Sequence, residues 1–158
     1  ALIFDDPPGA QQATDEALDL ISKHQPSDVG WWRFEGISSI DCILATDRIV
    51  ITVEGKRTEP LSPATDWYPS RTQIVRNLEA ARQLAAGRAW GTIVISEKPI
   101  AEASADAVAA SLDTAAPHLT EPERAELQAR YLGNLTWAQA CEATGIDYAG
   151  LPHTVNDI

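Results

Sequence analysis

Two acids and a base carry the chemistry that this 158-residue sequence suggests: Asp41, in "SSIDCILATD", and Glu54 and Lys56, which flank Gly55 at the end of "IVITVEGK". Two neighbouring carboxylates repel, and a cation between them removes that cost. Oxygen ligands, with no Cys or His at metal-type spacing, select a hard ion, Mg²⁺ or Mn²⁺. Such an ion activates a water and stabilises charge on a phosphate oxygen. A lysine beside it orients or deprotonates the water, or offsets charge in the transition state. Gly55 leaves the backbone open between the acids, which makes its carbonyl a further candidate ligand. These are the parts that phosphodiester hydrolysis needs.

The elements must bring those residues together. Apolar residues at Ala13, Ala17, Leu18 and Ile21 have helical spacing over 13–24. Two β-branched runs, 39–45 and 48–54, surround "TD" and read as a hairpin. The loop 59–70 holds three prolines and leads into an amphipathic helix, 71–87, closed by Gly87. A third strand covers 89–97, and helices follow over 101–113, 121–132 and 136–144. Strands 48–54 and 89–97 are expected to be parallel, with helix 71–87 packed across them. A tight turn at Thr46–Asp47 would pair Ala45 with Arg48, Ile43 with Val50 and Asp41 with Thr52. Opposed residues point to one side of a sheet, so Asp41 would join the face of Val50, Thr52, Glu54 and Lys56. Diagonal neighbours lie ~7–8 Å apart, close enough for two carboxylates to share an ion. A three-residue turn would reverse the parity and destroy the arrangement.

Asp41, then "VEGK", on consecutive strands followed by a helix and a strand, resembles the PD-(D/E)XK nuclease superfamily over roughly residues 13–97. The resemblance implies a restriction-endonuclease-like α/β fold: a mixed sheet made of a hairpin plus a strand–helix–strand crossover, flanked by helices. It implies a Mg²⁺-dependent (or Mn²⁺-dependent) hydrolase acting on DNA, with Asp41 and Glu54 binding metal and Lys56 assisting the attacking water. Ile40 stands where the family often has Pro. The family's glutamate on the first helix falls on Glu16, with Glu35 a weaker candidate. Gln73 matches a catalytic-site Gln that some members place at the start of the next helix; Asn77 stands where those members have Tyr. Gln73, Arg76 and Asn77 form a polar stripe opposite Ile74, Leu78, Ala81 and Ala85, expected to reach the site or a nucleic-acid backbone. Arg57 and Arg71 would add positive charge at the site's mouth, and Trp67 or Tyr68 would stack on a base.

Length predicts a single domain over 1–158, a nuclease-like core at 13–97 with a helical C-terminal extension at 101–158. Twelve Lys and Arg against 23 Asp and Glu give a net charge of −11, which disfavours avid sequence-independent nucleic-acid binding. The start "ALIFDDPPGA" lacks the form of a signal peptide, and no apolar run is long enough to span a membrane. Cys42 and Cys141 have no metal-type or disulfide-framework spacing. Cys42 reads as a buried strand thiol, and a reducing, cytoplasmic location is expected. His24, His118 and His153 are scattered and are assigned to no metal. Two further readings compete. One is a non-catalytic member of the fold that binds protein or nucleic acid or forms a homo-oligomer, with Leu127, Tyr131 and Leu132 as an exposed helix surface. The other is an enzyme using the same carboxylate–metal chemistry on a nucleotide or other phosphoester.

Overall fold

The computed structural model describes Asp15, Asp19, Lys23, residues 40–62 and residues 70–151. Asp15 and Asp19 are helical and exposed, and Lys23 pairs with Asp19 at 2.6 Å. Glu16, Glu35, Trp67, Tyr68, His24 and His153 lie outside the described residues.

The described residues form a mixed four-stranded sheet whose strands lie side by side in chain order. β1 (Cys42–Ala45) pairs antiparallel with β2 (Ile49–Lys56). β2 pairs parallel with β3 (Ala89–Ser96) through the crossover helix α1 (Gln73–Ala85). A 3₁₀ turn (Ala101–Ala103) leads to α2 (Ala105–Ala115) and α3 (Glu121–Arg130). β4 (Tyr131–Thr136) then joins β3 in parallel, followed by α4 (Trp137–Thr144) and a second 3₁₀ turn (Tyr148–Gly150).

The hairpin turn is two residues long but falls at Asp47–Arg48, one residue later than expected. Thr46 Oγ1 accepts from the N–H groups of Arg48 and Ile49 at 3.1 Å, and Thr46 N–H donates to Ile49 O at 2.9 Å. The hydroxyl thus fixes Thr46 as the residue before the turn. Parity survives, while the register moves: Ile43 faces Thr52 and Ala45 faces Val50.

The Ile74, Val75, Leu78, Ala81 and Ala85 side of α1 is buried against Val50, Trp90 and Val94 of the sheet and against Val108, Leu112 and Leu127 of α2 and α3. Fully burying a side chain such as Leu78 or Leu127 contributes about 1.5–3 kcal/mol. Thr72 caps α1, its side chain accepting from Val75 N–H.

Four expectations fail here. The C-terminal part is not a purely helical extension, because "YLGNLT" is the fourth strand. The helix anticipated to run through 132 stops at Arg130, where Gly133 (φ 99°) carries a β-bulge between the Thr92–Tyr131 and Val94–Asn134 pairs. Leu127, Tyr131 and Leu132 accordingly form no common exposed surface. Leu127 is fully buried, Tyr131 donates to Ala103 O, and Leu132 is exposed. Cys42 is exposed rather than buried, since β1 is an edge strand whose four residues all face solvent.

Candidate functional site

Strand alternation places Val50, Thr52, Glu54 and Lys56 on the face of the sheet that α1 covers. Glu54 is 1% exposed there, at the end of β2. A buried carboxylate is tolerated only when it is paired and hydrogen-bonded, and three side chains do this. Lys56 Nζ lies 2.7 Å from Oε1, Gln73 Nε2 donates to Oε1 at 2.6 Å, and Asn77 Nδ2 donates to Oε2 at 2.8 Å. Gln73 also accepts from Ser62 N–H at 3.1 Å, so one amide ties the loop after β2 to the carboxylate. Beneath this group Thr52 and Thr92, both fully buried, share a 2.7 Å hydroxyl contact.

Glu54, Lys56 and Gln73 thus meet as expected from the sequence. Asn77, on the polar stripe expected to reach the site or a nucleic-acid backbone, is a direct partner of Glu54. Its Oδ1 is buried without a hydrogen-bond donor among the described residues. Arg76 Nε, in the same stripe, is likewise buried without an acceptor there and does not reach Glu54.

Asp41 lies on the other side of β2. Strand pairing stops at Cys42–Val53, and the Asp41 carboxylate turns back to accept Gly55 N–H at 2.8 Å. Ladder parity sends the N–H and C=O of a strand residue toward the same neighbour. The Gly55 carbonyl therefore points to the β1 edge with Asp41, whereas Lys56 O faces β3 and accepts Glu97 N–H at 3.0 Å. Asp41 and the Gly55 carbonyl share that edge; Glu54 projects beneath α1. Among the described residues no group of three or more His, Cys, Asp or Glu could hold a metal ion.

Trp137 is the participant that sequence reading missed. At the start of α4, it donates from Nε1 to Lys56 O at 3.1 Å. A Cβ built on Gly55 would stand 3.2 Å from Trp137 Cζ2, so the indole packs on the backbone between Glu54 and Lys56, on the face opposite Glu54. The legible signal was the capping box of "TWAQ": Thr136 and Gln139 bond reciprocally and start α4 at this tryptophan.

A groove of about 980 Å³ opens at the C-terminal ends of β2 and β3. Lys56, Gln73 and Thr72 line it from the site; Leu61, Ile74, Ile100 and Val108 give it apolar walls. Arg57, Lys98, Glu59, Glu97 and Glu102 also line it. Arg57 pairs with Glu97 at 3.6 Å, and Tyr148 O–H donates to the same carboxylate, which raises the phenol's pKa. Arg71, expected at the mouth, is instead mostly buried. It pairs with Glu79 and donates to Ala115 O at 3.0 Å, tying the start of α1 to the end of α2. His118 Nε2 meets the other oxygen of Glu79 at 2.6 Å.

Searches against protein-family models, curated proteins and solved structures found no match to this chain. Fold and site together define an α/β protein in which the described mixed four-stranded sheet carries one buried, hydrogen-bonded carboxylate at the C-terminal end of a central strand. Among the described residues no helix is long and apolar enough to cross a membrane.

Proposed function

We propose that the chain is a divalent-cation-dependent phosphodiesterase of the restriction-endonuclease-like, PD-(D/E)XK type, acting on DNA. The observation that carries this reading is the buried Glu54 carboxylate, bonded by Lys56, Gln73 and Asn77 beside an open groove. Replacing a buried ion pair with apolar residues of similar volume is often neutral or stabilising. The fold alone therefore gives little reason to hold an acid and a base at this strand end.

The oxygens that the sequence assigned to a hard divalent ion do not stand together: Glu54 lies beneath α1, bonded by Lys56, Gln73 and Asn77, whereas Asp41 and the Gly55 carbonyl face the β1 edge. Mg²⁺ is usually bound by one or two protein carboxylates and completes its shell with waters and substrate phosphate oxygens. A divalent ion brought in with the substrate would supply Lewis-acid polarisation of the phosphate and a more acidic water. The chain's own residues do the remaining work. Gln73 and Asn77 fix the orientation of Glu54, Lys56 offers its ammonium to the attacking water or the developing phosphate charge, and Trp137 anchors the strand from behind.

The test is cleavage of single- and double-stranded DNA in Mg²⁺ or Mn²⁺ by the wild type and by Glu54→Gln, Lys56→Met and Asp41→Ala. Loss of roughly 10²-fold or more in the Glu54 and Lys56 variants, without loss of folding, is the expected result. Undiminished cleavage by Glu54→Gln rules the reading out.

A further inference from the structure

The groove beside Glu54 is small, apolar and balanced in charge. Its volume of about 980 Å³ is at the top of the ~300–1,000 Å³ range in which proteins bind small molecules. It opens at the C-terminal ends of two parallel strands, where α/β sheets place their ligands. Ile74 and Val108 belong to the buried core, and Leu61 and Ile100 pack against it, so the apolar walls are fixed. Lys56, Arg57 and Lys98 line the groove, but so do Glu59, Glu97 and Glu102. Lys56 is held by Glu54 and Arg57 by Glu97, whereas the Lys98 ammonium has no partner among the described residues. A duplex presents one phosphate charge per ~1.7 Å of its axis, and tracking it takes many cations along its path. A charge-balanced groove on a chain of net charge −11 does not supply them.

We propose that the groove takes the terminal nucleotide of a single-stranded DNA end, and that the enzyme removes nucleotides from such ends rather than cutting within a strand or a duplex. This rests on the reading of the chain as a phosphodiesterase and names the substrate of that same site. A nucleobase is a flat body whose faces leave water readily for an apolar surface, and Leu61, Ile74, Ile100 and Val108 provide one. A single phosphate is what the cations can serve. Lys56 faces Ser96 across the parallel pair, so Lys98 follows two residues beyond it on the adjoining strand end. Glu59 and Glu102 offer acceptors to exocyclic amines or sugar hydroxyls, and they repel the further phosphates of a longer path. Cleavage adds one water across the last phosphodiester. Its hydroxyl ends on phosphorus, its other proton on the departing sugar oxygen, and one nucleotide leaves.

Two measurements on the full chain in Mg²⁺ test this. Cleavage compares a linear single-stranded oligonucleotide, the same sequence closed into a circle, and a blunt duplex. The linear strand is expected to shorten to mononucleotides while the circle and the duplex persist. Cuts in the circle, or equal cutting of the duplex, overturn the end specificity and leave the phosphodiesterase reading intact. Equilibrium dialysis then measures binding of thymidine 5′-monophosphate, which has no phosphodiester to cut, to the wild type, Ala107→Trp and Lys98→Glu, each first shown to be folded by its melting curve. Ala107→Trp puts an indole into the groove from α2 and is expected to weaken binding by about tenfold or more. Lys98→Glu, at an exposed position, is expected to weaken it by about threefold or more, and covers the case in which Ala107→Trp does not fold. Inorganic phosphate, which leaves the apolar walls unused, is expected to compete about tenfold less well than the nucleotide. Equal competition by phosphate, absent nucleotide binding, or binding that neither variant changes overturns the nucleotide site, whether or not DNA is cleaved. Nucleotide binding with no cleavage of any DNA overturns the phosphodiesterase reading, and the trimming with it.

Discussion

Asn77 Nδ2 donates to Glu54 Oε2 at 2.8 Å, and both residues are only 1% exposed. The bond joins the middle of α1 to the end of β2, so the crossover helix holds the candidate site as well as covering the sheet. Asn77→Leu removes the donor and leaves that oxygen short of a partner in the core, a loss of about 1–3 kcal/mol. Asn77→Asp is worse near neutral pH, because it sets a second carboxylate against Glu54. Urea unfolding separates the two: the Asp variant recovers stability relative to the Leu variant as pH falls and one carboxyl of the pair takes up a proton. Wild-type stability of Asn77→Asp at pH 8 would mean that Glu54 is not held in this way.

Glu79 gives the fold an acid-sensitive clasp. Burial raises its pKa, but the His118 hydrogen bond and the nearby Arg71 charge outweigh it, and the folded pKa lies below the ordinary carboxylate value of 4.5. A depressed folded pKa means stability that is fully present above about pH 4.5 and is lost as pH falls from there through the folded value. Glu79→Gln is expected to lower stability at pH 7 by about 2 kcal/mol, since Arg71 and His118 lose their charged partner. The same variant should also show a shallower loss of stability below pH 4.5 than the wild type. Parallel pH profiles for the two proteins, measured by chemical denaturation, would contradict the clasp.

Local pattern made the hairpin, the crossover helix and the shared face of Glu54 and Lys56 legible, because period-two alternation in "IVITVEGK" and helical spacing in "QIVRNLEAARQLA" are properties of the chain itself. The turn position was not legible to one residue, because it depends on which backbone N–H groups the Thr46 hydroxyl reaches. β4 was hidden because "EPERAELQARYL" reads as one helix, and a strand that needs β3 as its neighbour and a bulge at Gly133 declares itself only in tertiary context. The pairing of Asp41 with the Gly55 N–H was also hidden. Parity placed Asp41 on the Glu54 face, but parity holds only while the strand lasts, and β1 begins at Cys42. Helical period placed Asn77 on the stripe that reaches Glu54, but Trp137 was missed, because it acts on a residue distant in sequence and a single side chain far from its partner leaves no periodic trace.

Gly55 and Trp137 are a matched pair, and the match can be measured. A Cβ at Gly55 would come within 3.2 Å of Trp137 Cζ2, tighter than ordinary van der Waals contact, while the indole Nε1 is anchored on Lys56 O at 3.1 Å. Alanine there adds one crowded atom, which a few tenths of an ångström of ring movement can relieve. Valine adds two more and forces the ring off its anchor, an overpacking loss of about 1–3 kcal/mol. In a Trp137→Leu background the same Gly55→Val change should be close to neutral, because the crowding atoms are gone and valine suits a strand. A double-mutant cycle by chemical denaturation reads the difference as a favourable coupling energy between glycine and tryptophan. A cycle that closes with no coupling would mean that the indole does not rest on this strand, and that α4 plays no part in holding Glu54 and Lys56 in place.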